Sequence, residues 1–386
     1  MINKKLKVGN VPNLRFPSFE GEWETKKLGE VATNVMYGMN AAATNYDGEN
    51  QYIRITDIDE QTRLFCPNPL SSPDGELDNK YLLHKGDILF ARTGASVGKS
   101  YLYNDKDGKI YFAGFLIRLN VRDEDPYFIF SQTLTEKYQR WVLTMSMRSG
   151  QPGINAEEYK LLPIVIPSIQ EQEKISSFLL LIDERIQTQN KIIEQLETLI
   201  QELRNQIFKR KIRFTDTDGR DFVDWKKVKI GDILKIGNGK DYKHLQSGEI
   251  PVFGTGGFMT LVNDYLYDGE TVCIGRKGTI DKPMYHEGKL WTVDTLFYTH
   301  SFQSCIPKFI FHLFQTINWL EYNEASGVPS LSKTTIKKIS LQIPSIEEQE
   351  RIASFLNKID HKIQTEKAIL EQLEMQKKYL LKQMFV

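Results

Sequence analysis

The chain has 386 residues, with 50 basic and 50 acidic side chains and a formal net charge of zero. Its 40% apolar and 26% charged residues are those of an ordinary soluble globular protein, long enough for two or three domains. No run approaches the ~20 apolar residues of a membrane span, and neutrality argues against DNA binding by bulk charge while leaving a local basic face open.

In chain order, residues 1–165 form a first domain. No signal peptide is expected, because the lysines near Met1 have no apolar core behind them. Arg15-Phe16, Trp23 and Leu28-Gly29-Glu30-Val31 open this domain, Gly86–Ala91 reads as a buried strand running into a glycine turn, and Tyr127–Met145 reads as an amphipathic helix. A long helix follows within 166–211. A second domain, 212–342, opens with Arg213-Phe214, Trp225 and Ile230-Gly231-Asp232-Ile233, carries a buried strand at Thr271–Ile274, and is expected to be helical over Pro307–Tyr322. A second long helix fills 343–386. The expected fold is mixed α+β: two α/β domains separated by two long antiparallel coiled-coil helices, in an internal pseudo-two-fold repeat.

The repeat is strong. Residues 166–208 and 343–385 match without a gap at 24 of 43 positions, including Ile-Pro-Ser-Ile, Glu-Gln-Glu and Ile-Gln-Thr. Between the anchors the halves diverge, and only echoes remain. Arg92-Thr93-Gly94 stands beside Arg276-Lys277-Gly278, and Ser149-Gly150-Gln151-Pro152 beside Ser326-Gly327-Val328-Pro329. Matched helices with unlike domains suggest one scaffold carrying two specificities.

Both helices carry a heptad seam. The first runs through Ile175, Leu179, Ile182, Ile186, Gln189, Ile193 and Leu196, the second through Ile352, Leu356, Ile359, Ile363, Glu366, Leu370 and Leu373. Gln189 and Glu366 occupy the same seam position, where a polar pair fixes register. Ser168 with Glu171, and Ser345 with Glu348, have the spacing of capping boxes. A stripe this narrow needs a partner, and the other copy in the same chain is the nearest. A helix of about 40 residues spans roughly 60 Å, about 17 base-pair steps of B-DNA.

Candidate nucleic-acid contacts are the basic and amide residues of loops: Arg54, Arg92, Lys99, Arg148 and Gln151 in the first domain, and Lys240, Lys243, Arg276, Lys277 and Lys333 in the second. The first half leans acidic, so affinity there must come from clustering or from partner subunits. Enzyme signatures fail. Gly94-Ala95-Ser96-Val97-Gly98-Lys99-Ser100 is one residue short of a phosphate-binding loop and runs into a strand-like Tyr101-Leu102-Tyr103. The glycine-rich Phe253–Gly257 has no accompanying Asn/Asp-Pro-Pro-aromatic motif and reads as a turn near a recognition loop. The six histidines have neither metal nor triad spacing, and the three cysteines, Cys66, Cys273 and Cys305, fit a reducing cytoplasm. No catalytic constellation and no metal site are expected.

The layout resembles the specificity subunit of type I restriction-modification systems. The resemblance rests on Arg15-Phe16…Trp23…Lys27-Leu28-Gly29-Glu30, the Ser-Gly-x-Pro step before each helix, and Ile-Pro-Ser-Ile-x-Glu-Gln-Glu-x-Ile at 166–175 and 343–352. It implies two target-recognition domains reading the halves of an asymmetric bipartite DNA site, with the helices as a ruler for the unread gap. It also implies two methylation subunits using S-adenosylmethionine on a flipped-out adenine, restriction subunits using ATP and Mg2+, and no cofactor on this chain. A coiled-coil adaptor presenting two protein-binding domains accounts for the repeat and the neutral charge, but not for similar Arg-x-Gly turns in both domains.

Overall fold

The computed structural model describes residues 9–147 and 152–385. Two long helices, Ile169–Phe208 and Ile346–Met384, dominate it. The chain divides into two compact units, residues 1–188 with 370–386, and residues 189–369. Each unit thus owns the start of one long helix and the end of the other. No helix among the described residues is long and apolar enough to cross a membrane.

The heptad stripe explains the division. In the first unit Ile175, Leu179, Ile182 and Ile186 share a core with Leu373, Leu380 and Met384, with Leu370 against its edge. In the second, Ile200 and Ile207 share a core with Ile352, Leu356 and Ile363, flanked by Leu196 and Ile359. Ile193 is buried as well. Within each unit the low-numbered end of one helix lies against the high-numbered end of the other, so the packing is antiparallel. The amide of Gln189 donates to the backbone oxygen of Glu366 at 3.0 Å and to its carboxylate, so the polar seam positions meet each other. Lys377, at a seam position of its own, reaches Asp183 at 2.6 Å.

The residues heading each long helix serve a different end from the one their spacing suggests. Ser345 accepts the backbone N–H of Glu348 at 3.4 Å, but neither glutamate folds back to complete a capping box. Glu171 is buried and takes Arg15 bidentately, Nε and Nη2 at 2.8 and 2.7 Å. Glu348, fully buried, accepts from Arg213 at 3.3 Å and from the indole of Trp225 at 3.2 Å. The neighbouring phenylalanines clasp the same helices edge-on, Phe16 on Phe178 at 5.9 Å and Phe214 on Phe355 at 5.7 Å. Gln172 and Gln349 each donate to the preceding proline carbonyl at 3.0 Å and accept a backbone N–H, from Asp125 and Ile306 respectively, at 3.1 Å. The repeated Arg-Phe and Glu-Gln motifs are therefore two halves of one clasp.

Both units are built on the same sheet frame. The first orders its antiparallel strands Ala32–Tyr37, Leu116–Val121, Asp87–Ala91, Ser100–Leu102; the second orders Lys235–Asn238, Leu296–His300, Thr271–Gly275, Met284–His286. Each also pairs its opening strand with the strand before its long helix, Glu24–Lys27 with Pro163–Ile166 and Lys226–Lys229 with Ser340–Ile343. The unlikeness inferred from sequence lies in what hangs from this frame. The first unit adds short two-stranded pairings, whereas the second adds a further four-stranded sheet over Ile250–Gly254, Gly257–Val262, Tyr267–Asp268 and Lys289–Thr292.

Two expected helices are interrupted. Tyr127–Met145 is Pro126–Gln132 and Glu136–Ser146, broken where the Thr133 hydroxyl bonds back to Phe130 O and Thr135 caps the second segment through Tyr138 N. Pro307–Tyr322 is helical over Pro307–Phe314, followed by a 3-10 turn at Trp319–Tyr322. These short helices complete the cores. Trp23 packs on Phe128 and Phe385 at 5.6 and 6.2 Å, and Trp225 on Phe309 and Phe208, both at 6.2 Å. Phe208 ends the first long helix and Phe385 directly follows the second, so each tryptophan packs at the end of the long helix that begins in the other unit.

Two outcomes follow from this packing. Glu171→Ala removes the carboxylate partner of Arg15, leaving it only the carbonyls of Glu20 and Gly21, and is expected to cost roughly 2–3 kcal/mol in urea unfolding, while Arg15→Met with Glu171→Met recovers most of the loss. Ending the chain before Leu370 removes Leu373, Leu380, Met384 and Phe385 from the first core. Limited proteolysis should then cut within 9–147 much faster and leave 212–342 as resistant as before; equal loss in both units would contradict the division.

Candidate nucleic-acid interface

The buried strands Asp87–Ala91 and Thr271–Gly275 each run out into an Arg-x-Gly turn held by the same backbone bonds. In the first unit Arg92 N–H donates to Phe115 O at 3.1 Å, Ile154 N–H to Arg92 O at 2.9 Å and Gly94 N–H to Pro152 O at 3.1 Å. In the second, Arg276 N–H donates to Thr295 O at 2.7 Å, Leu331 N–H to Arg276 O at 2.9 Å and Gly278 N–H to Pro329 O at 2.8 Å. Thr93 bridges Gly153 as Lys277 bridges Ser330. Gly94 and Gly278 have φ of +76° and +94°, a conformation that favours glycine. The echoes in the sequence are thus one loop frame present twice, the Arg-x-Gly turn laid against the step that follows Ser-Gly.

The side chains on this frame differ. In register, Tyr37 stands opposite Ile117 and Asn238 opposite Phe297, and these are equivalent places in the two sheets. The Arg92 guanidinium lies 4.7 Å over the Tyr37 ring, and the Tyr37 hydroxyl accepts Ala156 N–H at 3.1 Å, so the ring ties the turn to the helix Ala156–Lys160. In the second unit the equivalent helix is Lys333–Lys338, capped by Ser332 on Thr335 N–H at 3.1 Å. There the short Asn238 leaves a cleft of about 690 Å³ lined by Arg276, Lys277, Lys333 and Asn238, with Asp294 and Glu324 also on its wall. Burial, Lys337 and Arg276 together hold the Lys333 ammonium below the ordinary lysine range.

The other candidate residues fall elsewhere. Arg54 is bound locally by the buried carboxylate of Asp57, with two contacts of 2.8 Å. Lys99 is turned inward, 7% exposed, its Nζ 3.1 Å from Ile58 O and 2.6 Å from Glu60. It ties down the 55–60 loop, and the chain around it is a 3-10 turn, Gly94–Ser96, leading into a strand, as the failed phosphate-loop match implied. Arg148 and Gln151, with Ser149 and Gly150, lie outside the described residues. Lys240 and Lys243 are exposed but outside the cleft; the Lys240 backbone oxygen accepts the indole N–H of Trp291 at 2.8 Å. The glycine-rich hairpin at 254–257 brings Thr255 beside Gly278, at the Arg276-Lys277-Gly278 turn. Sequence reasoning missed Tyr37 and Asn238, because nothing local marks them as equivalent, and Phe115, 65% exposed beside Arg92. Among the described residues no three His, Cys, Asp or Glu side chains gather as a metal site.

Comparison with known proteins bears on what this frame is for. The type I restriction modification DNA specificity domain family matches residues 20–198 and again 222–375. The chain is 22% identical to the type I restriction enzyme MjaVIII specificity subunit of Methanocaldococcus jannaschii, over 95% of this chain and 92% of that one. It is 26% identical to the EcoprrI specificity subunit of Escherichia coli over 36% and 37% of the two chains. Its fold is similar to that of the S subunit of a type I restriction-modification system from M. genitalium, with a TM-score of 0.65, 18% identity and coverage of 97% and 99%. With the specificity domain matched once in each half and most of the chain covered, the protein belongs to the family of type I restriction-modification specificity subunits, whose task is recognition of the DNA sequence.

Proposed function

We propose that the chain reads an asymmetric bipartite DNA site, one half with each domain, and directs partner subunits that carry out the chemistry. The observation that carries this reading is one loop frame present twice with different side chains on it: Arg92 with Tyr37, and Arg276 with Asn238, Lys277 and Lys333. Two copies of a duplicated binder that read the same sequence would have no reason to differ there. Base edges are read by side chains placed in the grooves, whereas backbone contacts set register.

In this reading the chain is not itself catalytic and holds no cofactor. Two methylation subunits bind S-adenosylmethionine and methylate adenine, and restriction subunits use ATP and Mg2+; the assembly is cytoplasmic. The matched helices set the length of the unread gap between the half-sites. Because they pack antiparallel, an insertion in 175–207 alone would slip every pair beyond it, so the gap changes only when both helices change together.

Sequencing of methylated adenines in cells carrying this chain and its methylation subunits should show one motif of two short, unlike half-sites separated by a fixed number of unread bases. Absence of any motif would remove the reading. Matched one-heptad insertions within 175–207 and 352–384 lengthen each helix by roughly 10 Å and are expected to lengthen the gap by about three base pairs with both half-sites unchanged. Exchanging residues 30–160 for the corresponding segment of another family member should change one half-site only.

A further inference from the structure

The two copies of the loop frame differ in one physical respect. In the first unit the Tyr37 ring occupies the space between the arginine and the helix start, which is the uncharged Ala156. In the second unit that space is open, and Lys333 stands where Ala156 does, Lys277 where Thr93 does. The Arg276 guanidinium and the Lys333 ammonium both lie over the buried ring of Phe297, at 5.9 and 5.7 Å, an apolar floor that neutralises neither. Of the two acids on the wall, Glu324 is engaged by Ser332 N–H at 3.3 Å and by the Thr335 hydroxyl. Asp294 contributes its backbone oxygen to Arg276 at 3.2 Å. Among the described residues, none of the three cations is in an ion pair.

Arg276 lies near enough to help lower the Lys333 ammonium, and three cations lining one polar cleft without an ion pair favour an anion there. Lysine suits phosphate as a point charge, and the Arg276 guanidinium, one of its nitrogens tied to the Asp294 backbone carbonyl, is poorly placed to grip a guanine edge with both its nitrogens. We propose that this cleft seats one backbone phosphate of the DNA strand through Arg276, Lys277 and Lys333, a register-setting contact for which the described residues of the first unit hold no matching set of cations, Thr93 and Ala156 standing at the two lysine positions. The inference rests on the DNA-reading function above and divides labour within it: the second unit carries an anion anchor, whereas the first presents Arg92 and its aromatic support to bases.

The test uses the full chain assembled with its methylation subunits and a duplex carrying the motif mapped by adenine methylation. Affinity is measured across a range of salt concentrations. Lys277→Gln with Lys333→Gln is expected to flatten the dependence of log K on log salt by about 0.9 and to weaken binding roughly tenfold, the signature of one lost phosphate contact. The preference for the motif over single-base variants should stay within about twofold. Arg92→Gln is expected to do the reverse, keeping the slope while relaxing preference in one half-site. On the DNA side, a methylphosphonate scan should find one position, flanking the second domain's half-site, where a neutral linkage weakens the wild-type complex but not the double variant; this holds the proposal to account even if the variant folds poorly. An unchanged slope, a shifted base preference in the lysine variant, or no such position in the scan would overturn the phosphate seat while leaving the DNA reader intact. A wild-type complex that does not prefer the motif duplex would overturn both.

Discussion

The structure depends on the burial of one narrow apolar stripe along each long helix. A heptad seam exposed alone is unstable in water, and here each copy satisfies the other. The consequence reaches beyond the helices, because the end of each becomes part of the other half's core. Phe385 packs on Trp23 and Phe208 on Trp225, and neither aromatic cluster is complete without the terminal turn of the opposite helix. Such an arrangement restrains the helix sequences twice over. A residue such as Glu171 or Gln172 must suit its helix and also hold the opening segment or the Asp125 turn. The 24 identities in 43 positions are the imprint of that double duty.

The domains are restrained differently. What they share is a backbone frame: a sheet order, two positive-φ glycines and a set of N–H to carbonyl bonds around Arg92 and Arg276. Backbone bonds are indifferent to side-chain identity, so Tyr37 can be Asn238, Ala156 can be Lys333 and Thr93 can be Lys277 without disturbing the fold. For a protein whose task is sequence recognition this is a useful separation. Residues that hold the chain together lie in the core and the clasp, and residues free to change lie at the rim of the frame. A new side chain there alters what is contacted at little cost in stability.

This separation also decides what was legible beforehand. The seam, the helix starts and the duplication could be read because they are local patterns with a fixed period, and the seam residues from Ile175 to Leu373 lie buried or half-buried. The common sheet order could not, since strand pairing joins distant segments and only Arg-x-Gly and Ser-Gly-x-Pro survived as hints. Local reasoning also misjudged interruptions. Tyr127–Met145 has helical periodicity throughout, yet threonines 133 and 135 offer the backbone competing bonds that end one helix and start the next. The glutamates at the helix starts have capping-box spacing, but a buried carboxylate is claimed by a half-buried arginine, a charged donor, in preference to the helix's own backbone N–H.

The same reasoning bears on charge. A list of basic loop residues treats every cation as available, but availability depends on what lies opposite in three dimensions. Arg54 is taken by Asp57, a partner visible at i+3 in the sequence. Lys99 is taken by Glu60 and by Ile58 O, partners that only the folded sheet brings near. Arg276, Lys277 and Lys333 gather instead around an open cleft where the nearby carboxylate of Glu324 is engaged by its own neighbours. Net charge therefore says little about a protein of this kind. With 50 positive and 50 negative side chains the sum is zero, yet the pairing is uneven. Among the described residues Arg276, Lys277 and Lys333 form no ion pair, and they stand on the duplicated loop frame, where the two halves keep the same backbone bonds and differ in side chain.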